Sequence, residues 1–376
     1  MKKIVICTAN YYTSIYQVGI HHYARAFERL GYRVAFISNP ISPLHYLFSD
    51  KKSLMEREKI YKNKGIDEGS LWYYVPKSYL TPQNKPFLSS KYIFENWYKF
   101  SKTDILEILR EKGFDKVDIL WIESPFYGFM MDRIQYKKSI LRLADYSKGL
   151  NRSWRLFYDK EIEIANRVDR VIYTGKNIYE QYSEIKDKDK MLYIPNGIDL
   201  NWVENSDKSF PDEFNHIPKP RVIYVGMIGD WFDVELVYKS ALSLKKYNFV
   251  IIGDCKIELS KLKQLPNVFI LGSRPHKDIS KYLYHSDVGI IPFKRNEFVD
   301  SINPVKIYEY AAYNLKIVTT KWKEIEYLSE YFSICDNDNE FISAITNVNR
   351  QQESKIKKWL LQHDWMSKAT KAIKFK

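Results

Sequence analysis

Lys306 and Glu309, three residues apart, are the side chains of this sequence best placed to do chemistry. They lie in Asn303-Pro304-Val305-Lys306-Ile307-Tyr308-Glu309-Tyr310-Ala311-Ala312. Apolar runs flank them, Val288-Gly289-Ile290-Ile291 before and Lys316-Ile317-Val318-Thr319-Thr320 after. The runs predict buried strands, and the stretch between them a loop opening into a helix. A helix head presents backbone N–H groups without intrahelical partners and the positive end of the helix dipole. A lysine in that first turn, beside the Val305 N–H, makes a site for a diphosphate. Glu309 falls on about the same face and can accept hydrogen bonds from sugar hydroxyls. An ordinary crossover helix with a surface ion pair has the same spacing, so this stretch alone leaves both readings open.

A second group of residues suits proton transfer. Asp145 closes the run Ile140-Leu141-Arg142-Leu143-Ala144, and Glu123 closes Asp118-Ile119-Leu120-Trp121-Ile122. His21 and His22 open the first helix, just after Gly19, which lets backbone approach a ligand. In open α/β sheets, ligands bind at the carboxyl ends of the strands, where all of these fall. Asp145 is equally an ordinary turn cap, and solvated histidines are common on helices.

These residues need strands to carry them, and the chain supplies strand-like and helix-like segments in alternation. Strands are expected at 3–9, 33–38, 118–123, 140–145, 170–174 and 191–194, with helices at 20–30, 92–112 and 154–165. Residues 39–90, rich in proline, tyrosine and lysine, read as an irregular acceptor- or membrane-facing stretch or a plain surface insertion. After a proline-bearing stretch at 200–220 the rhythm restarts. Strands follow at 221–225, 249–252, 268–271, 288–291, 317–320 and 332–334, with helices at 234–244, 277–284, 305–312, 324–330 and 341–348. The pattern predicts two doubly wound parallel-sheet domains of the Rossmann-like kind. The boundaries are 1–199, a linker at 200–220, 221–353, and a basic amphipathic helix at 354–376 packing back toward the first domain. No GxGxxG motif occurs, so the dinucleotide fingerprint is absent.

Composition narrows the class. With 376 residues, 45% hydrophobic and 28% charged, the chain is globular and not disordered. The net charge is +13, and residues 1–200 carry +9 of it. Such a surface suits anionic partners: lipid, a polyprenyl diphosphate or nucleic acid. No nucleic-acid module is recognisable, and no segment reaches the length of a spanning helix. The expectation is a cytoplasmic protein, or one peripheral on the inner face of the cell membrane. Cys7, Cys255 and Cys335 lack metal or redox spacing and read as reduced core residues.

Several stretches, taken in order, resemble group 1 (family 4-like) glycosyltransferases of the GT-B fold, in which two Rossmann-like domains face a cleft. Ile194-Pro195-Asn196-Gly197-Ile198-Asp199 is similar to the segment ending their first domain. Tyr224-Val225-Gly226-Met227-Ile228-Gly229-Asp230 resembles the first strand and loop of their second domain, in the form seen in teichuronic-acid and xanthan-type enzymes. Asn267 through Pro275 resembles the nucleobase loop, and Pro304-x-Lys306-x-x-Glu309-Tyr310 the donor signature. One departure matters. Retaining members carry two glutamates eight positions apart, and eight before Glu309 stands Ser301. This points to the inverting, xanthan glucuronosyltransferase-like branch.

The resemblance implies metal-independent transfer from a nucleotide sugar, a UDP-sugar with UDP-glucuronate as one candidate, to a saccharide or polyprenyl-diphosphate-linked saccharide of a capsule or exopolysaccharide. The nucleotide sugar is a substrate, and no cofactor or metal is expected. Val305 and Lys306 would hold the diphosphate, Glu309 the ribose, Arg274 and Pro275 the base, largely through backbone, and Gly229 would give backbone access. Asp145 is the first candidate base, then His22 or His21; Gly19 and Glu123 lie on the acceptor side. A UDP-sugar epimerase of the same architecture and a basic nucleic-acid-binding protein are the competing readings.

Overall fold

The computed structural model describes residues 1–15, 17–48, 50–147, 155–347 and 353–375. The chain divides into two compact units, Met1–Ile194 together with Ala369–Lys376, and Pro195–Lys368.

The first unit is built on eight strands: β1 Lys3–Thr8, β2 Arg33–Ser38, β3 Ile66–Glu68, β4 Leu71–Tyr74, β5 Lys116–Ile122, β6 Gln135–Leu143, β7 Arg170–Tyr173 and β8 Met191–Tyr193. They run in the order β3-β4-β2-β1-β5-β6-β7-β8. Every neighbouring pair is parallel except β3 with β4. The central strands read as unbroken apolar runs because both faces are covered; Ile4, Val5, Ile6 and Cys7 are all fully buried. From β1 the chain winds first toward β2 and then toward β5, so the loops after β1 and β5 part at a switch point.

The second unit has six parallel strands: β9 Arg221–Val225, β10 Asn248–Ile252, β11 Val268–Gly272, β12 Val288–Ile291, β13 Lys316–Thr320 and β14 Ser333–Cys335. Their order is β11-β10-β9-β12-β13-β14, which puts the switch point between β9 and β12. The loop after β9 and the Val305–Ala312 helix that follows β12 therefore converge there.

Five expectations are corrected. The 92–112 helix is three pieces, Lys91–Asn96, a 3-10 turn at Trp97–Phe100, and Ile105–Glu111 begun by the Asp104 cap. Residues 39–90 are more regular than expected, holding the Lys51–Lys62 helix and the β3–β4 hairpin. Residues 200–220 carry the Leu200–Asn205 helix and a 3-10 turn at Asp212–His216, within the second unit. The tail is two helices, Glu353–Leu361 and Trp365–Ile373. Between them the chain pairs with Ile198, whose N–H donates to the His363 carbonyl at 3.0 Å and whose carbonyl accepts from Trp365 N–H at 3.0 Å. Cys255 is exposed, not a core residue. The expected helix ends at Trp154 and Val348 lie outside the described residues.

Candidate functional site

In the second unit, β9 is followed by Gly226 and β10 by Gly253, with φ of 144° and 152°. These conformations favour glycine, and so does the packing. A β-carbon on Gly253 would lie 1.9 Å from the Gly226 carbonyl oxygen. One on Gly226 would lie 2.2 Å from Lys306 Cε and 2.5 Å from Nζ. The lysine of the helix head is thus lodged against bare backbone at the end of β9. Its ammonium stands 5.6 Å from the Tyr224 ring centre and 5.8 Å from that of Phe293. Desolvation pushes the Lys306 pKa down, with the Glu309 carboxylate opposing. A partly dehydrated ammonium gains most from an anion that replaces its lost water.

The helix head is held from behind. Asn303 Oδ1 accepts from Tyr308 OH at 3.0 Å and from Asn196 N–H at 3.0 Å. Its Nδ2 donates to Glu324 Oε1 at 3.1 Å, and Asn196 Nδ2 donates back to the Asn303 carbonyl at 2.7 Å. Trp359 stacks on Tyr308 at 4.9 Å, so the tail buttresses this helix. Pro304 takes the N-cap position without a side-chain cap bond, which leaves the Val305 end of the helix for other acceptors.

Glu309 sits 3.5 Å from His276 Nε2, and the His276 ring packs on Trp202 at 4.6 Å. Neither His276 nor Trp202 was singled out from sequence. A lone histidine after a proline and a tryptophan in a supposed linker carry no signal until the fold joins them.

The other donor-side candidates are placed differently from one another. Arg274 is tied into the fold: it donates to Glu213 at 2.9 Å, to Tyr282 OH at 3.1 Å and to the Leu271 carbonyl at 2.6 Å. That leaves backbone around Pro275, which caps the His276–Tyr284 helix, as what this loop offers a base. Gly229 lies beneath Trp231, where a β-carbon would come 2.8 Å from the ring. Gly226 makes the corresponding close approach to Lys306. Ser301, at the position of the retaining glutamate, is fully buried and donates to the Phe298 carbonyl at 2.8 Å. Asp300 accepts from Lys323 N–H at 3.2 Å, and Glu297 is exposed.

In the first unit, Glu123 and Asp145 follow β5 and β6. Glu123 is committed to the fold: Oε1 pairs with the buried Arg142 guanidinium and Oε2 accepts from Thr8 Oγ1 at 2.8 Å. Buried Arg142 requires that carboxylate, so Glu123 is corrected from an acceptor-side residue to a structural one. His21 is fully buried. Its Nδ1 accepts from Val18 N–H at 3.1 Å and its Nε2 faces the Tyr11 carbonyl at 3.1 Å, which pins the loop before the helix and removes it as a base. Arg25 meets His22 Nδ1 at 3.2 Å. A guanidinium only donates, so Nδ1 accepts and Nε2 carries the proton of the neutral ring. His22 then offers a donor, not a lone pair, and is corrected in the same sense. Gly19 begins the helix and is buried. Asp145 alone of the four remains exposed at a strand end.

Behind Asp145 lies a buried polar cluster that sequence reading missed. Ser147 Oγ and Tyr182 OH both donate to Glu161 Oε2, the latter at 2.8 Å. Burial pushes the Glu161 pKa up to about 7; the two hydroxyls oppose this and the Asp145 charge adds to it. Among the described residues no group of three or more His, Cys, Asp or Glu side chains is arranged to hold a metal ion.

Two α/β units, one on an all-parallel sheet and one on a sheet parallel but for its β3–β4 edge, define the GT-B fold. Comparisons with known proteins agree with that class. Residues 6–174 match the family described as glucuronosyltransferase GumK, N-terminal domain, and residues 219–350 match glycosyl transferases group 1. The chain belongs with the group 1 glycosyltransferases of the GT-B fold. It is 22% identical over 251 residues to TuaH of Bacillus subtilis (strain 168), named as a teichuronic acid biosynthesis glycosyltransferase; the match covers 61% of this chain and 63% of that one. The chain thus spans somewhat under two thirds of the length of that curated relative. Among solved structures, Anabaena HepE in complex with UDP and glucose superposes with a TM-score of 0.61 at 14% identity, over 99% of this chain and 98% of that one. An E. coli structure described as trehalose-6-phosphate bound with UDP-2-fluoro glucose gives 0.67 at 11% identity, over 99% and 98%.

Proposed function

We propose that this protein is a glycosyltransferase that moves a sugar from a UDP-sugar to a saccharide or polyprenyl-diphosphate-linked saccharide during assembly of a cell-surface polysaccharide, at the inner face of the membrane. The observation that carries the reading is the Lys306 ammonium, lodged against Gly226 at the head of the Val305–Ala312 helix with Glu309 on the same helix. In the transfer step the acceptor oxygen attacks C1 of the sugar as the C1–O bond to the diphosphate breaks. The departing diphosphate gains negative charge. Lys306 and the helix head stabilise it, which is the main electrostatic task. Glu309, oriented by His276, accepts the ribose hydroxyls. Asp145 takes the acceptor proton, and the product has inverted configuration. The lysine and helix head supply the positive charge, so the reading requires no metal. The substitution at Ser301 favours inversion, because a carboxylate for the retaining pattern is missing there.

The donor side is tested by thermal shift with UDP, GDP and UDP-sugars. Stabilisation by UDP-sugars that Lys306→Ala abolishes is expected; indifference of the wild-type protein to every nucleotide would overturn the reading. Anomeric assignment of the product by NMR then checks inversion. Epimerised donor without transfer would instead favour the epimerase, and salt-sensitive binding of DNA or RNA the nucleic-acid reading.

A further inference from the structure

The exposed hydrophobic side chains are not spread evenly. Among the described residues fifteen large ones are exposed, and seven of these fall between Tyr46 and Tyr92, an eighth of the chain. Singly exposed apolar residues are ordinary, but a cluster marks a contact surface.

Contacts join the segments into one surface. Lys77 Nζ donates to Tyr46 OH and, at 2.7 Å, to Glu58 on the Lys51–Lys62 helix. β-Bridges link Ile41 with Lys77 and Ser78 with Ser101. Tyr79 N–H donates to the Phe100 carbonyl at 3.0 Å, and the Tyr92 ring lies 6.4 Å from that of Phe100. Gln83 Nε2 donates to Ser42 Oγ at 3.0 Å. Tyr46, Leu47, Tyr79, Leu80, Phe87 and Tyr92 are the exposed apolar members. A cavity of about 310 Å³ opens among them, lined by Pro43, Tyr46, Lys77, Ser78, Tyr79 and Lys102.

Phe87 is the sharpest feature. It is 90% exposed and has φ of 64°. A bulky side chain in that conformation is strained. The turn is nonetheless closed around it: Gln83 N–H donates to the Leu88 carbonyl at 3.1 Å, and Ser89 N–H to that of Lys85 at 3.0 Å. The fold thus holds a phenyl ring out in water on a strained residue, as a surface that meets an apolar phase would.

Charge identifies the contact. Residues 43–102 contain eleven Lys and Arg against six Asp and Glu, a net charge of +5. Lys85, Lys91, Lys99 and Lys102 are exposed around the apolar members. Tyrosine at the rim, phenylalanine at the tip and lysines around them match the layers of an anionic bilayer: head groups, acyl chains and surface potential. We propose that this surface docks on an anionic phospholipid membrane, with Phe87 inserted among the acyl chains. It deepens the membrane part of the reading above and is independent of donor chemistry.

The test is flotation of the full chain with vesicles of equal parts phosphatidylglycerol and phosphatidylcholine, against phosphatidylcholine alone. Binding is expected only to the anionic vesicles and is expected to weaken as salt rises from about 0.1 M to 1 M. Phe87→Gly relieves the strained φ, so its melting temperature should hold or rise, while vesicle binding falls about tenfold or more. Lys85→Glu with Lys91→Glu should lower binding by a similar factor. Tyr79→Ser, at another exposed site, repeats the apolar test. Equal binding to neutral vesicles, absence of binding to anionic ones, or retention by Phe87→Gly and Tyr79→Ser within about twofold would overturn the proposal. A wild-type protein that floats with anionic vesicles but ignores every nucleotide would count against the transfer reading and leave this one standing.

Discussion

Lys306 and Gly226 fit together so closely that a β-carbon at 226 would stand 2.2 Å from the lysine Cε. The lysine on its helix is therefore positioned by the absence of a side chain just past the end of β9. Gly226→Ala should push the ammonium out of place and strain a backbone at φ 144°. We expect kcat/KM to fall roughly 10- to 100-fold, approaching the ~10²–10³-fold expected of Lys306→Ala, the mutant that loses the charge itself. Arginine at 306 should not restore activity, since its planar fork does not fit the ammonium's site. Steady-state kinetics with a UDP-sugar, alongside a melting curve to exclude unfolding, checks this.

Much of this helix was legible in sequence. The bounds of the Val305–Ala312 helix and of β9 and β12 are as expected, because unbroken apolar strands and a proline at a helix head are strong local signals. What failed were judgements about side chains whose partners lie far along the chain. Glu123 meets Arg142 and Thr8. His276 finds Glu309 and Trp202 only through the fold. The 92–112 helix failed for a local reason: Asp104 caps Leu106 N–H at 2.8 Å, a start signal inside the expected helix.

Glu123 gives a prediction about stability. Its partner Arg142 is 3% exposed, so neutralising the carboxylate strands a buried cation. Glu123→Gln should destabilise the protein by about 3–5 kcal/mol, as broken buried pairs do. Turnover per folded molecule should change little. Urea unfolding measures the first, and active-site-normalised kinetics the second; a large fall in turnover with intact stability would return Glu123 to the chemistry.

Asp145→Asn retains the shape of the side chain and removes the base. A general base contributes ~10²–10⁴-fold, so kcat should fall by that factor while donor binding by thermal shift is unchanged. His22→Gln, which keeps a side-chain amide near Arg25, should cost far less. Turnover of Asp145→Asn within about tenfold of wild type would exclude it as the base.

Glu309 and His276 stand 3.5 Å apart, which makes the histidine a positioning residue for the carboxylate. His276→Ala should raise KM for the nucleotide sugar several-fold and leave kcat nearly unchanged, because ribose contacts are the same in ground and transition states. Glu309→Gln should show the same split more strongly. A fall in kcat alone would place the pair nearer the reacting bond.

Glu161 supplies a pH dependence of folding. Burial raises its pKa from 4.5 to about 7 in the folded protein. Between those values the folded state holds a proton that the unfolded chain has released, so stability falls as pH rises across the window and levels off above it. The loss is on the order of 3 kcal/mol for a shift of this size. Glu161→Gln cannot ionise and retains an oxygen to accept from Ser147 and Tyr182. Its stability should lack this slope between about pH 5 and pH 8, while the wild-type protein grows weaker over the same range. Because Ser147 is two residues from Asp145, ionised Glu161 also brings a second negative charge close to the proposed base. Urea unfolding of both proteins across that range decides the matter: parallel curves would mean that Glu161 titrates at an ordinary value and that the cluster is hydrated.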